Sequence, residues 1–236
     1  MSVYRGENEK ILLSLFFSLL IIGAVFSEQS RSQTASPGFE LKSSAVLINP
    51  ADDMKLAGTY VYLLSRASGT MQIWDVSDVT APIFKSIIKT QPAPSAVDVA
   101  GNYAYVVSGV SPNRQLKIFN IADPVKPAAI GSIAIPHPYS TSYADIQVIG
   151  NYAYTLLNVG NTFQIFDVSN PVTPIIKNSV KFSPIATSAY AIKIVGNYAY
   201  VLDRFYNRLA TVDISEPSNP KLISFVSGVS GLSFDI

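Results

Sequence analysis

Short segments in which apolar and polar residues alternate recur along the chain. They lie at residues 54–56, 97–99, 146–148 and 192–194, each just before a glycine. Alternation with a period of two predicts β-strands that have one apolar and one polar face. The stretches between these segments show no helical periodicity, so the pattern indicates an all-β protein.

The same five residues follow three of these segments. The string Gly-Asn-Tyr-Ala-Tyr begins at Gly101, Gly150 and Gly196, and a diverged copy, Gly-Thr-Tyr-Val-Tyr, begins at Gly58. The copies are roughly 45 residues apart, which is the length of a propeller blade or a solenoid turn. Because Gly and Asn tolerate the positive φ that tight hairpins require, each string predicts a hairpin between a first and a second strand.

A third predicted strand ends on Asp or Asn in every repeat. A turn rich in Ser, Asn and Pro comes next, and a fourth apolar segment follows the turn. Because the terminal Asp or Asn precedes Ser and Pro, we expect its side chain to hydrogen-bond the backbone of the turn rather than bind a metal. Four antiparallel strands per repeat predict a β-propeller built of four-stranded antiparallel blades. The strand-ending residues are Asp75, Asn120, Asp167 and Asp213.

The predicted propeller extends over residues 39–236 and leaves strands over at both ends. Residues 39–48 resemble an outermost strand, and residues 231–236 resemble an innermost strand, but neither has a blade of its own. Propellers usually have about four to eight blades, so we expect this sequence to be a piece of a larger ring. A closed four-bladed ring and completion by a second copy are the alternatives, and the oligomeric state stays open. The four complete blades are predicted at about residues 51–91, 95–136, 143–183 and 189–228.

The repeats resemble a known family. The string Gly-Asn-Tyr-Ala-Tyr-Val, followed by Leu-x-Ile-x-Asp-Val-Ser-Asn-Pro, is similar to the LVIVD repeat over about residues 51–236. The resemblance implies a β-propeller that is exported or surface-associated in bacteria or archaea. It implies no activity and no catalytic residue. The fourth copy departs from the pattern at Ala210 and Thr211.

The N-terminal region indicates export. Basic residues precede an uncharged, mostly apolar stretch from Ile11 to Phe26, and Ser27 ends a pattern that signal peptidase accepts. We predict a signal peptide at residues 1–27, or an uncleaved signal anchor as the membrane contact, and a polar linker at residues 28–38. The repeats are therefore expected to be secreted, periplasmic or on the cell surface.

Composition narrows the possible partners and chemistry. The chain has 17 basic and 16 acidic residues, so no net field favours nucleic acid or an anionic membrane. It has no cysteine and one histidine, which argues against thiolate and multi-histidine metal sites. We expect no cofactor and no metal, and a protein or carbohydrate partner, including an anionic one.

Arginine and other polar side chains concentrate in loops that are predicted to share one face of the propeller. All four arginines after the linker lie between the second and third strands of a blade. Alternating strand direction places these loops and the blade-to-blade connections on the same face, where variable loops carry function. Arginine suits a sulfate, a carboxylate or an acidic glycan, although the loops can also be merely polar. The candidate ligand-binding residues are Arg66, Asn113, Arg114, His137, Tyr139, Asn158, Asn161, Arg204, Tyr206, Asn207 and Arg208.

Charged and amide side chains of the innermost strands form a second candidate group. We expect these channel residues to be solvated charges around the central axis. As an alternative, a pair of carboxylates can act as acid and base with His137, or can hold a cation. The sequence favours an exported, non-catalytic binding module over a hydrolase or lyase and over a structural spacer. The channel residues are Asp98, Asp145, Gln147 and Lys193.

Overall fold

The computed structural model describes residues 42–110, 112–136, 144–157, 162–181, 189–203 and 207–228. These residues form sixteen β-strands. The described part of the chain contains no helix that is long and apolar enough to cross a membrane. The predicted all-β class is confirmed.

Four sheets of four antiparallel strands follow one another along the chain. Within each sheet the strands are hydrogen-bonded in chain order, so each sheet is one propeller blade. In chain order the strands are β1 (Asp53–Ala57), β2 (Tyr60–Ser65), β3 (Thr70–Asp75), β4 (Ile83–Lys89), β5 (Ala96–Ala100), β6 (Tyr103–Ser108), β7 (Gln115–Asn120), β8 (Ala128–Ala134), β9 (Ala144–Ile149), β10 (Tyr152–Leu157), β11 (Thr162–Asp167), β12 (Ile175–Lys181), β13 (Ala189–Val195), β14 (Tyr198–Asp203), β15 (Arg208–Asp213) and β16 (Lys221–Ser227).

The repeated sequence signals produce the turns at one end of every blade. Gly101 has a φ of +55° in the hairpin between β5 and β6, a conformation that favours glycine. At the end of the third strand, the Ser77 amide donates a hydrogen bond of 2.9 Å to Asp75 Oδ1. The equivalent bonds, to Asn120, Asp167 and Asp213, range from 2.9 to 3.1 Å. The predicted capping of the turns is confirmed.

Successive blades pack face to face and bury the repeated tyrosines. The second tyrosine of each of the first three repeats lies against the next blade, and Tyr62, Tyr105 and Tyr154 are each 4% exposed. Each of these tyrosines belongs to an apolar layer that combines residues of two neighbouring blades. The core of the protein is therefore divided into layers between blades.

The fourth blade packs against the third blade and leaves its other face open. Its innermost strand β13 packs on β9, but it does not pack on β1 in this way. Tyr198 of this blade is 43% exposed. Among the described residues, the four blades therefore do not close into a ring.

Residues 42–50 cover the outer face of the first blade. Their Ala45 and Leu47 pack against an apolar cluster that contains Trp74. Gln72 Nε2 donates a hydrogen bond of 3.1 Å to the Asn49 carbonyl, just as Gln164 of the third blade donates one of 3.4 Å to the Pro136 carbonyl.

A second hydrogen bond of residues 42–50 also has a counterpart between two blades. Ser43 Oγ donates a 2.6 Å hydrogen bond to the Val79 carbonyl, and Ser86 of β4 makes a 2.6 Å bond to the Pro124 carbonyl in the next blade. Residues 42–50 therefore take the place of the outermost strand of a preceding blade, without themselves forming a strand. Residues 39–41 and 231–236, the rest of the two predicted leftover strands, lie outside the described residues.

Candidate functional site

The loops between second and third strands and the blade-to-blade connections meet at one end of the blades. The Thr90 amide, in the connection after the first blade, donates a 2.9 Å hydrogen bond to the Gly69 carbonyl in the first loop. The Gly109 amide of the second loop donates a 2.8 Å bond to the Pro92 carbonyl in that connection. We call the described residues at this end, 66–69, 90–95, 109–114 without 111, 135–136, 207 and 228, the loop face.

Two predicted arginines from different blades lie near each other on the loop face. Arg66 is half-buried and Arg114 is 2% exposed. Burial lowers the pKa of Arg114, and the positive charge of Arg66 lowers it further. Asn113, beside Arg114, is exposed. The structure thus brings Arg66 and Arg114 together, and it places Asn113 at the surface next to them.

The remaining predicted loop residues are in the fourth blade or outside the described residues. Asn207 has a φ of +48° in the turn before β15, a conformation in which Asn is favoured over most other residues. Arg208 begins β15 opposite Asp203 of β14 and is half-buried. The residues outside the described ranges are His137, Tyr139, Asn158, Asn161, Arg204 and Tyr206.

A groove of about 510 Å³ opens between the first two blades at the loop face. Its lining includes Arg66, Lys89 at the end of β4 and Lys117 of β7. Sequence reasoning missed both lysines. Lys117 interrupts an apolar strand between Leu116 and Ile118, and this alternation is the signal that could have identified it.

The backbone that lines this groove is held in unusual conformations. Gly69 has a φ of +65°, and a Cβ on it would lie 2.9 Å from the Gln91 carbonyl oxygen. Ala93 has a φ of +53°, which is a strained conformation for a residue with a Cβ. A side chain at position 69 would therefore force the first loop away from the connection.

Three of the four predicted channel residues accept hydrogen bonds from the backbone of the next blade. Asp98 Oδ2 accepts a 2.6 Å hydrogen bond from the Val148 amide of the third blade. Asp145 Oδ2 accepts one of 2.7 Å from the Ile192 amide of the fourth blade. Gln147 Oε1 accepts one of 2.7 Å from the Ile194 amide. These side chains therefore join the innermost strand of one blade to that of the next.

For Asp98 the expectation of a solvated channel charge is wrong. It is 3% exposed, and its Oδ1 lies 2.7 Å from Lys55 Nζ of the first blade. A buried carboxylate must be paired or hydrogen-bonded, and here it has both kinds of partner. Lys193 occupies in the fourth blade the place that Lys55 has in the first, on the open face.

Burial changes the acidity of two other carboxylates on the innermost strands. It raises the pKa of Asp53 to about 7 and that of Asp145 to about 6, although backbone hydrogen bonds oppose the shifts. Asp53 Oδ2 accepts a 2.8 Å bond from the Val97 amide, so it has the same bridging role. No group of three or more His, Cys, Asp or Glu side chains suited to a metal ion occurs in the described ranges.

Comparison with known proteins confirms the family resemblance of the repeats. The family model named LVIVD repeat matches residues 50–90, 94–134, 142–181 and 186–227. No curated protein matches the chain in sequence.

Solved structures with the same fold share little sequence with the chain. A functionally unknown protein from Desulfotomaculum acetoxidans has a TM-score of 0.65 at 18% identity, with 78% of this chain and 58% of that one covered. A Lactobacillus plantarum protein has a TM-score of 0.58 at 16% identity, with 72% and 54% covered. The periplasmic gluconolactonase of Pseudomonas aeruginosa has 0.59 at 13%, with 78% and 58% covered. The chain thus spans little more than half the length of these structures, and they support the fold alone.

Proposed function

The chain belongs to the LVIVD-repeat family, and on that premise we propose that it is an exported, non-catalytic β-propeller that presents its loop face to a protein or carbohydrate ligand. The observation that carries this proposal is the joining of loops from two blades by backbone hydrogen bonds into one face, on which the half-buried Arg66 and the exposed Asn113 lie. Loops held on a rigid scaffold are the usual carriers of binding function.

The opposite end of the blades supports the choice of face. There the polar side chains hydrogen-bond their own turns, as Asp75 does with Ser77 and Asp167 with Ser169. Such carboxylates have their bonding capacity used within the turn. The loop face, in contrast, carries cationic side chains and a groove.

The non-catalytic part of the proposal is supported by the innermost strands. A hydrolase or lyase of the kind predicted as the alternative would use Asp98 and Asp145. Both accept hydrogen bonds from backbone amides of the next blade, which gives them a structural role. The hydrogen bonds of Asp98 and Asp145 therefore favour a binding module over an acid–base enzyme.

Export is tested by expressing the full chain with a C-terminal tag in a bacterial host. The expected result is recovery outside the cytoplasm, with a mature N-terminus near residue 28, or with a membrane-attached full-length form if the anchor is retained. N-terminal sequencing of fractionated cells makes the distinction. Recovery of the full-length chain in the cytoplasm would contradict the proposal.

Binding is tested with the purified protein on an array of neutral and acidic glycans and on washed bacterial cells. A bulky Asn113→Trp change at an exposed position of the loop face should reduce binding to whichever probe is recognised. Lys126→Trp is the matched control, because Lys126 is exposed at the opposite end of the same blade. Absence of binding to both probes, or loss through Lys126→Trp alone, would overturn the proposal.

A further inference from the structure

Three cationic side chains from different parts of the chain line the groove between the first two blades. Arg66 comes from the first loop, Lys89 from the end of β4 and Lys117 from β7. No Asp or Glu occurs in the lining that the described residues form. We call this surface the basic groove.

The strand register explains how Lys117 reaches the basic groove. Its neighbours Leu116 and Ile118 pack between the second and third blades. Side chains alternate along a strand, so Lys117 shares the other side of β7 with Phe119. Phe119 is buried against the first blade. Lys117 therefore lies between the first two blades, where the groove opens.

The lysines of the basic groove differ in their surroundings from two lysines at the opposite end of the blades. Lys85 and Lys177 form ion pairs with the carboxylates that end the third strand of their own blade, Asp75 and Asp167. Lys89 and Lys117 form no ion pair with any residue of the described ranges. Burial also lowers the pKa of Lys117, and a nearby anion would offset this effect.

Neutral polar groups complete the groove. Ser68 and Gln91 are exposed in its lining and can bond sugar hydroxyls. A volume of about 510 Å³ is within the range of sites for small ligands, about 300–1,000 Å³. A concave site of this size fits one or two sugar units better than the flat surface of a folded protein.

We propose that the basic groove binds the anionic sugar units of an acidic glycan, with a carboxylate or sulfate group held by Arg66 and Lys117 and the sugar hydroxyls near Ser68 and Gln91. The inference rests on the proposed function, since it assigns the ligand class and the subsite within the loop face. Carboxylate and sulfate share the oxygen-rich anionic chemistry that these cations recognise.

The test is calorimetric titration of the full-length chain with three soluble probes. They are an oligogalacturonate for the carboxylate, a heparin oligosaccharide for the sulfate and a neutral maltooligosaccharide. Binding of at least one anionic probe is expected, weakening as salt rises because exposed charges are screened. The neutral probe is expected not to bind. The stronger anionic probe identifies the group that the groove prefers.

Lys117→Met removes the charge and keeps the alkyl stem, so it preserves the packing between the blades. We expect roughly a tenfold loss of affinity for the anionic probe, in line with the loss of a charge-assisted contact. Lys126→Met, in the same blade but at the opposite end, is the matched control and should leave affinity unchanged. Thermal melting of both variants checks that they are folded.

Equal losses in the two variants would show attraction by the overall charge of the blade and would overturn the groove assignment. Failure of both anionic probes to bind would also overturn it. In either case the result with Asn113→Trp on the array and on cells is independent, because Asn113 lies outside the groove lining. A positive result there would leave the proposed function standing with a different ligand or subsite.

Discussion

The outward face of the fourth blade differs from the corresponding faces of the first three, although all four come from the same repeat. Tyr105 is 4% exposed under the third blade, whereas its equivalent Tyr200 is half-buried. Val226 is 54% exposed, while its equivalent Ile133 is half-buried. The same sequence signal therefore yields a core residue only where a neighbouring blade covers it, as expected when each repeat contacts only its neighbours.

The sequence of the fourth repeat changes at a position where this cover is missing. Ile73, Ile118 and Ile165 are fully buried at the centre of the third strand, and the fourth repeat has a half-buried Thr211 there. A position that no blade covers therefore does not require an apolar residue.

The largest effect on stability is expected from truncating a side chain on a face that a neighbouring blade covers. Ile118→Ala should lower the free energy of unfolding by about 3 kcal/mol, because it leaves a cavity between the second and third blades. Thr211→Ala, at the equivalent position of the open face, should cost less than about 0.5 kcal/mol. Urea unfolding followed by circular dichroism measures both. Equal costs would contradict the comparison.

The next largest loss of stability is expected from removing a carboxylate that joins neighbouring blades. Asp98→Ala removes the acceptor for the Val148 amide and the partner of Lys55, so we expect a loss of about 2 kcal/mol. Asp123→Ala, in an exposed turn of the same blade, is the control and should cost no more than about 1 kcal/mol. The same unfolding assay applies, and a cost for Asp98→Ala no larger than the control would show that the bridge is unimportant.

The raised carboxylate pKa values predict a smaller effect that depends on pH. The folded protein binds protons at Asp53 and Asp145 up to about pH 7 and pH 6, whereas the unfolded chain releases them near the ordinary value of 3.8. The contribution of these groups to stability is thus present at low pH and is lost as the pH rises through 6 to 7. Asp53→Asn should make the melting temperature depend less on pH between pH 5 and pH 8. An unchanged slope would contradict this assignment.

The smallest effect is expected on the open face. Tyr198→Ala should change stability by less than about 0.5 kcal/mol, because this side chain is 43% exposed. Its counterpart Tyr103 packs beside the layer between the second and third blades, and Tyr103→Ala should cost clearly more. Thermal melting of the two variants side by side tests the difference. Similar losses would mean that the fourth face is covered in solution.

The fold could be predicted because its signals are local and repeated. Strand alternation, the Gly-Asn turns and the Asp and Asn turn caps all act within one blade, and the structure has them where the sequence places them. The roles of Asp98 and Lys117 could not be predicted in this way. Both depend on which face of a strand meets the neighbouring blade, and this is fixed by the packing of residues about 50 apart in sequence, as in the bond from Val148 to Asp98.

The arrangement of residues 42–50 provides an optical probe of their own docking. The chain has one tryptophan, and Trp74 is 8% exposed in the cluster against which Ala45 and Leu47 pack. Detachment of this segment would bring water to the indole ring and shift its emission to longer wavelength. Intrinsic fluorescence therefore reads the attachment of the segment directly, without a label and without interference from a second indole.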